Sequence, residues 1–243
     1  MMEAIRIEHL SKQYRDVLAV KDLSLCVGQG ELFSLLGVNG AGKTTTIKML
    51  SCLTAPTEGD AYLMGHSIVK ESAAVKSLIA VSPQETAIAP GLTVRENLAL
   101  IGGVHGFSKE KCDKKIDEMV DLLNLHSIID RRAGKLSGGW QRRLSIAMAL
   151  ISEPRILFLD EPTLGLDVIA RSDLWDIIRA LKGKVTVILT THYMEEAEAL
   201  SDRIAIMKDG QLLMCDTAEA IKQAAGESDF EKAFVRIVKG VRA

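Results

Sequence analysis

A chain of 243 residues with 47% apolar and 26% charged residues suits one globular domain, or a core with a subdomain, and can bury a full hydrophobic core. Its net charge of −2 argues against a nucleic-acid partner and against attachment to an anionic membrane by charge alone. No apolar run approaches the roughly 18 residues of a membrane span, the start Met1-Met2-Glu3-Ala4-Ile5 lacks the pattern of a secretory leader, and Cys26, Cys52, Cys112 and Cys215 are scattered like reduced structural thiols of the cytosol.

In chain order, the first elements are strands over 4–10, 23–27 and 31–36, the last running into Gly37. A helix is expected over 43–53 and a short buried strand over 79–82, before Pro83. The pattern then turns helical. Thr93-Val94-Arg95-Glu96 has the form of a capping box, in which Glu96 reaches back to the Thr93 amide. Ile116, Met119, Val120 and Leu123 form one apolar stripe, and Leu144, Ala147, Met148 and Ile151 form another. The charged run 109–115 is expected on a solvated face. Past Pro154, a strand over 155–159, a helix over 167–182 and a β-branched strand over 185–189 resume the alternation. Strands over 204–207 and 211–215 flank Asp209-Gly210, a hairpin signal. Phe230, Ala233, Phe234 and Ile237 mark a short amphipathic tail helix. The expected class is α/β, with a mostly parallel sheet covered on both faces. The expected division is a core of residues 1–86 and 153–225, an inserted helical subdomain over 87–152 and a tail over 226–243.

Gly37-Val38-Asn39-Gly40-Ala41-Gly42-Lys43-Thr44 fits G-x-x-x-x-G-K-[ST] between a strand and a helix, the context that this phosphate loop requires. Its glycines let backbone amides turn toward an anion, and the helix N-terminus adds partial positive charge. Lys43 can reach the β- and γ-phosphates, and the Thr44 hydroxyl can bind Mg²⁺. That motif leaves kinases, GTPases and ATPases open. Four apolar residues, 156–159, then deliver Asp160 and Glu161 to a strand end, where ligands of open α/β sheets bind. Asp160 is placed to hold Mg²⁺, and Glu161 to orient or deprotonate an attacking water. Leu136-Ser137-Gly138-Gly139 offers a second glycine-rich helix start, with Ser137 as a candidate N-cap. No Asn-Lys-x-Asp sequence for reading guanine is present.

These residues resemble the nucleotide-binding domain of an ABC transporter. Leu136-Ser137-Gly138-Gly139 is similar to the family signature, and the phosphate loop and Asp160-Glu161 to its two Walker motifs. Gln84, Gly165-Leu166-Asp167 and His192 stand in order where the family has its Q-loop, D-loop and switch histidine. Tyr14 stands where the family places an aromatic residue against adenine. The resemblance covers residues 3–237. It implies the ABC ATPase fold, with an antiparallel N-terminal part beside a phosphate-loop core. It also implies ATP and Mg²⁺ as cofactors. The catalytic residues would be Glu161, His192 and Gln84, and the metal ligands Thr44, Gln84 and Asp160. The nucleotide contacts would be Tyr14, Val20, Gly37, Asn39, Gly40, Ala41, Gly42, Lys43, Thr44, Thr45, Ser137, Gly138, Gly139 and Asp167. Two copies would pair head to tail, with Ser137, Gly138 and Gly139 acting on the partner's ATP.

Two residues depart from the commonest family pattern: Trp140 stands in place of Gln, and Val38 in place of a frequent Pro. The stretch Thr190 to Glu198 and the Phe230 tail resemble the subgroup that exports drugs, antibiotics or lipids. That likeness implies a cytoplasmic subunit on the inner face of the cell membrane, driving an integral membrane permease on a separate polypeptide. Importer ATPases are the nearest alternative, and soluble ABC ATPases a further one.

Overall fold

The computed structural model describes residues 2–240. Ten strands and nine α-helices are formed among these residues, besides two short 3-10 turns: β1 (Glu3–Tyr14), β2 (Val17–Gly28), β3 (Leu32–Leu36), α1 (Lys43–Leu50), β4 (Glu58–Leu63), β5 (His66–Ser67), α2 (Ser72–Leu78), β6 (Ile79–Ser82), α3 (Val94–Val104), α4 (Lys109–Leu122), α5 (Gly138–Leu150), β7 (Ile156–Asp160), α6 (Val168–Arg179), β8 (Thr186–Thr191), α7 (Met194–Leu200), β9 (Arg203–Lys208), β10 (Gln211–Asp216), α8 (Ala218–Ala225) and α9 (Phe230–Lys239).

The strands divide into two sheets. A four-stranded antiparallel sheet has the order β2-β1-β4-β5, and a six-stranded sheet has the order β10-β9-β3-β8-β7-β6. Neighbours in the larger sheet run parallel except β10, which turns back on β9. Every residue of β3, β7 and β8 is buried, as expected for strands covered on both faces. Their register decides where the chemistry sits: Leu36 lies beside Thr191, and Asp160 beside Thr190. These three neighbouring strands therefore end at one level, and the phosphate loop leaves from β3, with β8 between it and β7.

Helices α3, α4 and α5 pack on each other. The expected capping box is present: Thr93 Oγ1 accepts from the Glu96 amide and Glu96 Oε2 from the Thr93 amide. Ile116, Met119, Val120, Leu123, Leu144, Ala147 and Ile151 are buried in one cluster, with Met148 partly buried against it. At the far edge, Phe230, Ala233 and Phe234 of α9 are buried with Ile221 of α8 and Ala197 of α7, and Ile237 packs at the margin. Residues 241–243 of the expected tail lie outside the described residues.

Several boundaries differ from the expected ones for local reasons. Helix α1 stops at Leu50 rather than 53, because the Ser51 hydroxyl bonds back to the Ile47 carbonyl and Cys52 takes a left-handed φ of 55°. Strands β1 and β2 run to twelve residues each, carried past polar stretches by register shifts. The elements β4, β5, α2, α7 and α8 are additions to the expected set.

Candidate functional site

A cavity of about 640 Å³ opens at the common strand end. It is lined by the loop residues Asn39, Gly40, Ala41, Gly42, Lys43, Thr44 and Thr45, with Gln84, Glu161, Leu164, His192 and Asp209 around them. The loop's shape is enforced from beneath. A Cβ at Gly37 would run into the Met207 carbonyl oxygen, and one at Gly42 would lie 2.6 Å from that of Ala19. The Gly37 amide donates to the Thr191 carbonyl at 3.3 Å, and the Gly210 amide to the Ala41 carbonyl at 3.1 Å. Asp209 and Gly210, with φ of 48° and 78°, form the expected two-residue turn between β9 and β10. That turn thus braces the phosphate loop directly.

Lys43 is only 5% exposed. Its ammonium donates to the carbonyl oxygens of Gly37 at 2.6 Å and Val38 at 3.3 Å, and lies 3.4 Å from Glu161 Oε1. The other Glu161 oxygen is 2.5 Å from His192 Nδ1. One buried carboxylate thus stands between a lysine and a partly exposed imidazole. Glu161 adopts a left-handed φ of 50°, rare for a side chain with a Cβ and worth roughly 1–3 kcal/mol of strain. Its amide donates to the carbonyl of Thr190 and to the Thr190 hydroxyl oxygen, which holds the strained turn in place.

Asp160 lies behind this layer, buried. Its Oδ1 accepts from Thr190 Oγ1 at 2.5 Å and Thr44 Oγ1 at 3.2 Å. The Thr44 hydroxyl and the Asp160 carboxylate form an all-oxygen pair beside the phosphate loop. With Gln84 exposed on the same cavity, this donor set fits a hard cation such as Mg²⁺, which binds few protein groups and takes the rest from phosphate and water.

Ser137, Gly138 and Gly139 lie outside the cavity lining. Ser137 holds the N-cap position of α5 but makes no side-chain capping bond, unlike the expected cap, so its exposed hydroxyl is uncommitted to the helix. Asp167 does cap α6, accepting from the Ala170 amide at 2.9 Å. A Cβ on Gly139 would lie 3.0 Å from that of Ala170, so the signature turn sits against the first turn of α6.

Besides the signature residues, the expected nucleotide contacts Tyr14, Val20, Gly37 and Asp167 are not part of this lining. Tyr14 is exposed, with the Lys12 ammonium 4.9 Å from its ring centre, and it is Val17, opposite it across the hairpin, that lines the cavity. Val20 points the other way along β2: it is fully buried, and its side chain packs under Gly42. Val17, Ala19 and Lys21, alternate residues of β2, line the cavity and Val20 between them faces the core, while Leu18 near the start of the strand lines the cavity as well.

Residues 20–164, more than half of the chain, match the family described as ABC transporter. The chain belongs to the ABC transporter family. Over 213 residues it is 41% identical to the doxorubicin resistance ATP-binding protein DrrA of Mycobacterium tuberculosis, a match covering 87% of this chain and 64% of that protein. Over 226 residues it is 40% identical to the daunorubicin/doxorubicin resistance ATP-binding protein DrrA of Streptomyces peucetius, covering 93% and 68%. The human phospholipid-transporting ATPase ABCA3 is 41% identical over 230 residues, and the match spans 93% of this chain but 14% of that protein. Among solved structures, an ATP-binding subunit of an ABC transporter superposes with a TM-score of 0.85 at 26% identity, covering 96% of this chain and 99% of that one. A dimeric post-hydrolysis state of the ATP-binding cassette MJ0796 bound to ADP and Pi gives 0.78 at 27% identity, covering 88% and 98%. The chain is thus an ABC ATPase domain, and no helix among its described residues is long and apolar enough to cross a membrane.

Other residues of this ABC ATPase domain bear on the site without a motif to announce them. Thr190 bridges Asp160 and the Glu161 backbone. Arg142 is buried against Gln84, although the run Gln141-Arg142-Arg143 has the polarity of a solvated helix face. Glu196, fully buried, takes a 3.1 Å bond from Trp175 Nε1, and burial raises its pKa above the ordinary carboxylate value.

Proposed function

We propose that this domain powers export of a drug-like or lipid-like substrate through an integral membrane permease, acting at the inner face of the cell membrane as a head-to-tail pair of ATPase domains. The observation that carries the ATPase chemistry is the convergence of Lys43, Thr44, Asp160, Glu161 and His192 on one cavity. In this reading the loop amides from Asn39 to Thr45 and the Lys43 ammonium cradle the β- and γ-phosphates. Thr44, Asp160 and Gln84 hold Mg²⁺, which when bound neutralises charge developing on the phosphate oxygens. Glu161 accepts the proton of the attacking water, and His192, already in contact with it, orients that water or the γ-phosphate. Val17 and Leu18 offer the apolar surface nearest the loop for the base, with Tyr14 close by on the same hairpin.

The exposed Ser137 hydroxyl and the Gly138 and Gly139 amides have no phosphate to bind within their own chain's cavity. They serve the ATP of a second copy, with Asp167 at the seam. The dimeric state of MJ0796 supports that pairing, and the DrrA and ABCA3 relatives support drug-like or lipid-like cargo. The helical block, residues 87–152, would rotate against the core as ATP joins and leaves the interface.

Affinity capture of the tagged domain from detergent-solubilised membranes tests the transport reading. A multispanning membrane protein is expected as the main partner. Recovery of ribosomes or non-membrane proteins alone would overturn it.

A further inference from the structure

Arg142 sits within the first two turns of α5, three residues past Gly139, and is 4% exposed. Its Nη1 donates to the Pro83 carbonyl at 2.6 Å and its Nη2 to the Gln84 carbonyl. Among the described residues no carboxylate forms an ion pair with it, although the field of Asp160 reaches it. One turn further along the same face, Ser145 Oγ shares a 3.0 Å hydrogen bond with Ser82 Oγ, both side chains buried. The segment 82–84, where β6 leaves the sheet, is therefore fastened at three points to α5.

Were packing alone required here, an apolar side chain would fill the space without the cost of dehydrating a guanidinium. A guanidinium directed at two successive backbone carbonyls instead fixes the position of the chain that carries them. The signature residues occupy the start of the same helix. At 1.5 Å rise per residue, Gly139 and Arg142 are about 4.5 Å apart along the axis, less than one turn. A helix that short between two points moves as a rigid body.

We propose that Arg142 is a positioning residue that locks the Gln84 loop to the signature helix, so that the orientation of α5 sets where the Gln84 side chain stands relative to Thr44 and Asp160. A second copy pressing on Ser137 to Gly139 is thereby felt at the metal pair of the same chain. The proposal rests on the reading of Gln84 as a metal ligand.

The test uses the full chain as wild type, Arg142→Met, Arg142→Lys, Gln84→Ala and the corresponding double variants. Three readouts are needed: the Mg²⁺ dependence of ATP hydrolysis, ATP binding in EDTA, and thermal melting. Arg142→Met is expected to raise the half-activating Mg²⁺ concentration about tenfold, as loss of a group that orients a metal ligand does, while metal-free ATP affinity stays within about twofold. Arg142→Lys, able to reach one carbonyl, recovers part of the loss. In the Gln84→Ala background, adding Arg142→Met shifts the Mg²⁺ midpoint by less than about twofold, because the group it positions is gone. An equal shift in both backgrounds, or an unmoved midpoint in folded Arg142→Met, overturns the proposal. If Arg142→Met melts below the assay temperature, the Arg142→Lys pair decides by the same criterion. A Gln84→Ala protein with unchanged Mg²⁺ dependence overturns the metal-ligand reading of Gln84, and this proposal with it.

Discussion

The phosphate loop and the signature turn both present glycines at the start of a helix, yet their surroundings are opposite. Around Lys43, buried groups answer one another: Glu161 meets Lys43 and His192, and Asp160 meets Thr44 and Thr190. At the signature, the Ser137 side chain is exposed and makes no capping bond, and two residues on, the backbone of Gly139 lies against Ala170. The loop's neighbourhood is complete within the chain, whereas the signature's lacks a counterpart that its own fold supplies. In the proposed mechanism, two helix N-termini of similar composition would therefore hold different places, one as a seat for phosphate and the other as a surface that meets it.

The largest effect that would break this contrast is on chemistry in the completed half. Glu161→Gln is expected to cut ATP hydrolysis by about 10²–10⁴-fold, the range for loss of a general base, while ATP and Mg²⁺ bring the variant into a stable dimer. Light scattering with and without nucleotide checks the second part, and a variant monomeric under both conditions would contradict the shared site.

A second prediction probes the open half. Ser137→Arg is expected to lower hydrolysis by about 10²-fold or more, in the range of losing an electrostatic contact to the transition state, while ATP still binds the intact phosphate loop of the same chain. The contrast sharpens when that chain is mixed with Lys43→Ala. Each variant should be strongly impaired alone, but in the proposed arrangement a mixed pair would join one normal phosphate loop to one normal signature. Activity should return in the mixture, and its absence would mean that both motifs act within one chain.

The smallest effect lies behind the completed half. Among the described residues, Glu196 Oε2 and Thr163 Oγ1 are buried without a hydrogen-bond partner. The folded-state pKa of Glu196 is raised by burial, so its contribution to stability is intact below the ordinary carboxylate value and is lost as pH rises from there toward the raised value. Glu196→Gln keeps an acceptor for Trp175 and offers Thr163 a donor. It should stabilise the fold by about 1–2 kcal/mol near pH 8, with the gain shrinking toward pH 4 in chemical denaturation.

The sequence disclosed the parts of this design that depend on near neighbours. The phosphate loop, the apolar strand before Asp160, the Thr93 capping box and the Asp209-Gly210 turn each need only a few adjacent residues of the right kind, and each stands in the structure where expected. The full length of the two twelve-residue strands was harder to see, because the stretch Glu8-His9-Leu10-Ser11-Lys12 is largely polar and is carried along by pairing with β2 and β4 across a register shift, where His9 takes a left-handed φ of 51°. Helix α2 has only Val75 fully buried, too little for a periodic signal. Arg142 was illegible for a different reason. Its burial depends on a loop nearly sixty residues away in the chain, and no local pattern separates it from the neighbouring Arg143, which pairs with Asp173. The lining residues Val17, Leu18 and Ala19 likewise became visible only once the hairpin's facing was known.

The bracing of the phosphate loop has a consequence for the order in which the protein is made. The loop leaves the ribosome within the first fifth of the chain, but the groups that hold it belong to Thr191, Met207 and Gly210. At roughly 5–20 residues per second, these follow the loop by about 8–35 seconds of synthesis. Through that interval the motif exists as sequence without its shape. Nucleotide becomes a folding ligand only when the last quarter of the domain has emerged, so a ribosome stalled before residue 207 displays a phosphate-loop sequence that ATP does not stabilise.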